Sequence, residues 1–322
     1  MNTYSASTIL PHLKEEISKV IVGQDYLIER LFVALLVRGH VLLEGVPGLA
    51  KTRTLTALTT AIDASMSRIQ FTPDLLPSDL IGTEVYRPQT GEFVLRRGPV
   101  FTNLLLADEI NRSPAKVQSA LLQAMQEREV TIGEETFQLP EPFLVLATQN
   151  PIEQEGTYQL PEAQLDRFIM KIIVTYPSFE EELGIVKMVA DDVKGESSVK
   201  NISKVISLDE LAEIRQGLSS VFVDPKIDHY IVSLVQATRH GESFGLKDMI
   251  EWGASPRASI ALKQCARDLA YLRGKNFVSP DEVKEVSLDV LRHRILPSYE
   301  AEARGVNSDE IIKVLLNNIT VP

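Results

Sequence analysis

Two residue pairs in this 322-residue chain could carry phosphate chemistry: Lys51-Thr52 and Asp108-Glu109. The first closes Gly45-Val46-Pro47-Gly48-Leu49-Ala50, which follows the short apolar run Val41-Leu42-Leu43-Glu44. A buried strand, a glycine-containing loop, and Lys-Thr at the mouth of a helix reaching about Asp63 form a phosphate cradle. Backbone N–H groups and the helix N-terminus face the anion there, and Lys51 adds a point charge. Thr52 would place its hydroxyl on Mg²⁺. Ala50 stands where such loops usually have glycine, but the position opens a helix, and helical dihedrals do not demand glycine. The second pair ends another apolar run, Leu104-Leu105-Leu106-Ala107. In a site of this kind the first carboxylate, Asp108, joins the metal's shell. Glu109 is then free to orient or deprotonate the attacking water, which contributes about 10²–10⁴ in rate.

The surrounding pattern supplies elements to position these pairs. Apolar residues at 9, 10, 13, 17 and 20 recur with a helical period, and a second helix is expected from Asp25 to about Val37. Beside the two runs above, 68–71, 143–148 and 169–175 read as strands, giving a five-stranded parallel sheet. Two stretches read as hairpins projecting from it, one pairing 84–87 with 92–95 and the other 130–132 with 136–138. Beyond Tyr176-Pro177 the expected strands stop. Helical patterns follow at 179–192, 208–218, 225–240, 256–273 and 280–295, with 195–207 as a polar connector. The expected architecture is therefore an α/β nucleotide-binding core, residues 1–177, followed by an all-helical lid, residues 178–322.

Composition excludes several classes. With 33 Lys and Arg against 44 Asp and Glu, the formal charge is −11, an unfavourable field for nucleic acid. The densest basic clusters, Arg96-Arg97 and Arg292-His293-Arg294, are too short to reverse it. No apolar run approaches the roughly 20 residues of a membrane span, and the N-terminus lacks the basic-then-apolar pattern of a signal peptide, so no export is expected. A lone cysteine, Cys265, rules out an internal disulfide and a cysteine-rich metal cluster. A cytoplasmic location is expected. The five histidines never fall at metal-ligand spacing; His229 and His240 are expected on a helix surface, and Trp252 in packing.

These motifs, in this order, resemble those of the AAA+ ATPases and, within them, the MoxR family. Gly45 to Thr52 resembles the MoxR form of Walker A, and Leu104 to Arg112 (LLLADEINR) resembles Walker B and its continuation. Ala147-Thr148-Gln149-Asn150-Pro151 is similar to the sensor 1 strand end, and Leu165-Asp166-Arg167-Phe168 to the arginine-finger segment. Ala254-Ser255-Pro256-Arg257 resembles sensor 2, and Val22-Gly23-Gln24 the segment lying against the adenine. The two hairpins resemble inserts shared with magnesium chelatases and MCM helicases.

The resemblance implies ATP and Mg²⁺ as cofactors, with Asn150 bonding the γ-phosphate or lytic water and Arg257 contacting the phosphates from the lid. It implies Arg167 as a finger serving a neighbouring subunit, with Arg112 a competitor for that role. It further implies a homo-oligomeric ring, a hexamer by family habit. Its work would be chaperone-like: remodelling a protein client, one with a von Willebrand factor A domain, for maturation or metal-cofactor insertion. Alternatives are a magnesium-chelatase-like ATPase subunit and an MCM-like nucleic-acid motor.

Overall fold

The computed structural model describes residues 6–45, 51–149, 158–192 and 202–321. Two helices, α1 (Ala6–Ser18) and α2 (Asp25–Val37), precede strand β1 (Val41–Glu44). Helix α3 (Lys51–Ala61) leads to β2 (Met66–Gln70), and α4 (Pro77–Ile81) opens a hairpin of β3 (Gly82–Arg87) and β4 (Glu92–Arg97). Strand β5 (Leu104–Asp108), a 3₁₀ turn at Ile110–Arg112 and α5 (Ala115–Glu127) follow. A second hairpin, β6 (Glu129–Ile132) with β7 (Glu135–Gln138), precedes β8 (Leu144–Gln149), α6 (Glu162–Leu165) and β9 (Met170–Ile173).

The five central strands form one sheet in the order β2-β5-β8-β1-β9, every neighbouring pair parallel. Parallel strands buried on both faces must be apolar at successive positions, and the split between faces follows the period of two. Val41, Leu43, Leu104, Leu106, Leu144 and Leu146 face one core, shared with α1, α2 and α3. Leu42, Leu105, Ala107, Val145 and Ala147 face the other, filled by Val117, Leu121 and Leu122 of α5. Register matters for the chemistry. Glu44 pairs Gln149, and Gln70 pairs Asp108, so the residues after β1, β2, β5 and β8 gather at one edge of the sheet.

Residues after β9 build a helical lid: α7 (Phe179–Asp192), α8 (Leu208–Gly217), α9 (Pro225–Ala237), α10 (Pro256–Leu272), α11 (Pro280–Leu291), α12 (Tyr299–Ala303) and α13 (Ser308–Asn318). Side-chain caps start several of them: Ser207, Asp224, Ser255 and Asn307 each accept a backbone N–H. Helix α10 packs on α1 and α2, so the lid shares the first core cluster with the N-terminal helices. Fully buried Arg30 of α2 reinforces that seam, reaching Asp289 of α11 at 2.9 Å and Glu285 at 3.1 Å. Asp289 also accepts from Tyr26. Removing one partner of such a buried pair leaves an uncompensated charge, at a cost of about 3–5 kcal/mol.

Four expectations need correction. The lid is helical but carries a two-stranded ribbon, β10 (Ile250–Trp252) against β11 (Leu296–Pro297). A three-residue and a two-residue strand are too short to leave a period in the sequence. The polar reading of 195–207 fails at its end. Ile202, Val205 and Ile206 are buried, with Val205 donating its N–H to Ala61 at 2.7 Å. Trp252 is not a packing residue: it is 67% exposed. His240 is exposed as expected but lies just beyond α9.

Candidate active site

Lys51 begins α3, and its Nζ donates to the carbonyl of Gly45, 2.7 Å away, spanning the base of the loop between them. Burial lowers the Lys51 ammonium pKa, while Asp108, Glu109 and Glu44 act in the opposite sense. Gly45 has no room for a side chain: a Cβ there would stand 2.6 Å from the carbonyl of Val174. Val46, Pro47, Gly48, Leu49 and Ala50 lie outside the described residues, as does Asn150.

Asp108 ends β5 on the same edge. One of its oxygens accepts from Arg68 Nε and Nη2, both at 2.8 Å, and the other from the Thr148 hydroxyl at 3.1 Å. Glu109 adopts a left-handed backbone, φ 55° and ψ 50°, anchored by its N–H to Thr148 Oγ1 at 2.9 Å. Its carboxylate accepts from Gln70 at 2.6 Å and Arg112 at 2.9 Å. Both carboxylates are thus gripped by residues of β2. Arg68 and Gln70 carry no motif in the sequence, and their only signal is position, at or near the end of a strand that flanks β5. Thr148 falls inside the 147–151 motif, whose named residue is Asn150.

Val22, Gly23 and Gln24 precede α2 and lie against α7, which follows the end of β9 at this same edge. Gly23 has φ +75°, and a Cβ there would collide with Glu181 of α7. The segment therefore sits against α7.

Arg167 and Arg257 stand elsewhere. Asp166 and Arg167 precede β9, whose first residue, Met170, pairs with Val41 at the start of β1. They occupy the opposite edge of the sheet from Lys51, a strand length of about 13 Å away at ~3.3 Å per residue. Arg257, at the start of α10, joins them: its guanidinium lies 3.6 Å from Asp166. Asp166 also accepts from Ser255 at 3.0 Å and from Arg294 at 2.8 Å. Arg294 in turn donates to the carbonyls of Asp166, Phe168 and Ile169, clamping the loop that carries Arg167. Both arginines line one cavity of ≈310 Å³ with Arg38 and Gln126. Arg112, by contrast, stays beside its own Glu109.

The model of the ATPase family associated with various cellular activities (AAA) matches residues 40–170, and that of the AAA lid domain matches 246–314. Chaperone MoxR1 of Mycobacterium tuberculosis is 48% identical over 310 residues, 95% of this chain and 81% of that one. Protein MoxR of Paracoccus denitrificans is 31% identical, covering 87% of each chain. The chain belongs to the MoxR family of AAA ATPases. A solved structure of a proposed ATPase from Cytophaga hutchinsonii shares the fold, with a TM-score of 0.91 and 47% identity over 98% of this chain and 96% of that one.

As a MoxR-family ATPase the chain binds and hydrolyses ATP. The described residues fit that ligand. A helix N-terminus and the partly buried Lys51 ammonium offer the positive groups that phosphates would need. Asp108 and Thr52 both offer oxygen donors, the kind a hard divalent cation takes alongside phosphate and water. Among the described residues no group of three or more His, Cys, Asp or Glu could hold a metal alone, and none of the described helices is long and apolar enough to cross a membrane.

Proposed function

We propose that this chain is a Mg²⁺-dependent ATPase that works as a homo-oligomeric ring, a hexamer by family habit, and remodels or matures a protein client. The observation that carries the reading is the separation just described. Lys51, Asp108 and Glu109 meet at one edge of the sheet, while Arg167 and Arg257 meet at the other. One subunit therefore holds the two halves of a catalytic site facing opposite ways, and head-to-tail assembly joins them.

Each residue then has a task. Lys51, the backbone of Gly45 to Ala50 and Val22-Gly23-Gln24 hold the nucleotide. Thr52 and Asp108 would hold Mg²⁺, which when bound neutralises phosphate charge. Glu109 orients the attacking water and takes its proton, aimed by the left-handed backbone and the Thr148 tether. Asn150 hydrogen-bonds the γ-phosphate or that water. Arg167 reaches the nucleotide of the neighbouring subunit, where it offsets charge developing in the transition state; the pairing of Arg112 with its own Glu109 favours Arg167 for this role. Arg257 belongs with Arg167 on the neighbour's nucleotide rather than on its own. A division between core and lid near Pro177 would let the lid, from residue 178, carry that movement. A client with a von Willebrand factor A domain follows from the family resemblance, and the relative named a chaperone supports work of that kind.

The test is complementation. Lys51→Ala should lose most ATP affinity, and Arg167→Ala should bind ATP normally yet turn over about 10³-fold or more slowly. Mixed at a concentration that supports assembly, the two should recover activity, because some interfaces then pair an intact Lys51 with an intact Arg167. Exchange of subunits with no mixture exceeding either parent would overturn action across the interface.

A further inference from the structure

Trp252 is the chain's lone tryptophan, and it stands 67% exposed on β10. Beside it runs a groove of ≈780 Å³ whose apolar wall is Leu165, Ile295, Leu296 and Pro297. Asp166 and Ser255 line this groove, and Asp166 and Arg294 also line the cavity that holds Arg167 and Arg257. The groove is thus a continuation of the face on which both arginines stand.

A second apolar surface lies on α7. Along α7, Phe179 is 78% exposed and Val186 60%, with Leu183 between them also exposed. The spacing i, i+4, i+7 puts all three on one side of the helix. Helix α7 belongs to the nucleotide edge: a Cβ on Gly184 would stand 3.2 Å from Val22. Exposed aromatic and aliphatic side chains grouped in this way mark contact surfaces, and tryptophan is the residue type most enriched among interface anchors.

We propose that the groove beside Trp252 seats the exposed face of α7 from the next copy of this chain. The inference rests on the head-to-tail reading above. Any subunit that presents Arg167 and Arg257 to a neighbour's nucleotide also turns its groove toward the edge from which that neighbour's α7 projects. The two apolar surfaces share no residue, as a heterologous, ring-closing contact requires. The choice of a second copy over a client follows from this continuity with the arginine face.

Trp252 itself supplies the readout, since it is the only tryptophan emitter. In the Glu109→Gln protein with Mg-ATP, emission should shift to the blue and iodide quenching should fall several-fold over the concentration range in which sedimentation velocity shows assembly. Trp252→Ala should raise the assembly midpoint by about tenfold or more, the ordinary loss for an aromatic anchor, with ATP affinity and melting temperature retained. Phe179→Lys with Val186→Lys should weaken assembly comparably. Mixing it with Trp252→Ala should restore pairs but not rings, since each pair then has one native contact. Assembly with unchanged Trp252 emission, or normal assembly by the α7 variant, overturns this seat while leaving the ring intact. A shift of emission only on adding a client would assign the groove to that client and overturn the proposal. A wild-type protein that stays monomeric at every concentration overturns both the seat and the ring.

Discussion

Asp108 and Arg68 make the residue-scale point most directly. The carboxylate proposed for the metal is neutralised by a guanidinium from the neighbouring strand, two contacts of 2.8 Å. Arg68 is about half exposed, so the pair is worth only about 0.2–1 kcal/mol. Arg68→Ala should therefore lower the Mg²⁺ concentration at half-maximal ATP hydrolysis by roughly 1.5- to 5-fold. A rise in that concentration would mean that Arg68 helps the metal rather than competes with it. His40 gives a second prediction. It is fully buried, its Nδ1 accepting from the Val145 N–H at 3.0 Å and its Nε2 donating to the Met125 carbonyl at 2.9 Å. Burial lowers its pKa from 6.5 to about 4. The unfolded chain thus binds more protons between those values, so the stability this histidine contributes is complete above pH 6.5 and is lost as pH falls toward 4. Denaturant titration should find the protein about 2 kcal/mol less stable at pH 5 than at pH 7 from this group. In His40→Gln part of that slope should be absent. His293, also lowered by burial, acts in the same direction.

At the scale of elements, the join between α10, α11 and the loop before β9 carries the most consequence. Asp166 gathers Ser255 from the cap of α10 and Arg294 from just beyond α11. Arg167 is the next residue, so its aim is set by this clamp. Asp166→Asn keeps the volume but loses the charge that holds Arg294. Activity of the assembled protein should fall by about 10²-fold, the loss a small misplacement can cause, with ATP affinity retained and the melting temperature lowered, because the buried Arg294 loses its counter-charge. In mixtures with Lys51→Ala it should complement more weakly than the wild type does. Recovery equal to wild type would leave Asp166 a packing residue. None of this was legible in the sequence, because a hub whose partners lie 89 and 128 positions away leaves no local period. The strands were legible for the opposite reason. Burial on both faces makes β1, β5 and β8 uniformly apolar, and a charged or polar residue then marks where each one ends. Arg257 shows the limit: its motif was readable, yet which nucleotide it faces depends on where the lid docks. Trp252 was misread because composition alone puts a tryptophan inside.

For the whole molecule, the net charge of −11 sets an electrostatic expectation. Of the cationic run 292–294, Arg294 and His293 are buried against backbone carbonyls, and Arg292 is bound to Asp309 at 2.9 Å. Neither single- nor double-stranded DNA should stimulate turnover or bind well at physiological salt, and gel-shift and ATPase assays would show it. Several-fold stimulation that decays steeply with salt would place the protein among nucleic-acid motors.

The seam between the N-terminal helices and the lid has a temporal side. Arg30 and Asp289 are 259 residues apart, and α1 and α2 bury their apolar faces against α10. At ~5–20 residues per second, a ribosome takes on the order of 13–50 s to make the second half of that seam after the first. Through that interval the growing chain holds Leu13, Ile17, Leu31 and Phe32 without the helix that will cover them. A pause inserted before α10 should lengthen the time the nascent chain remains sensitive to protease.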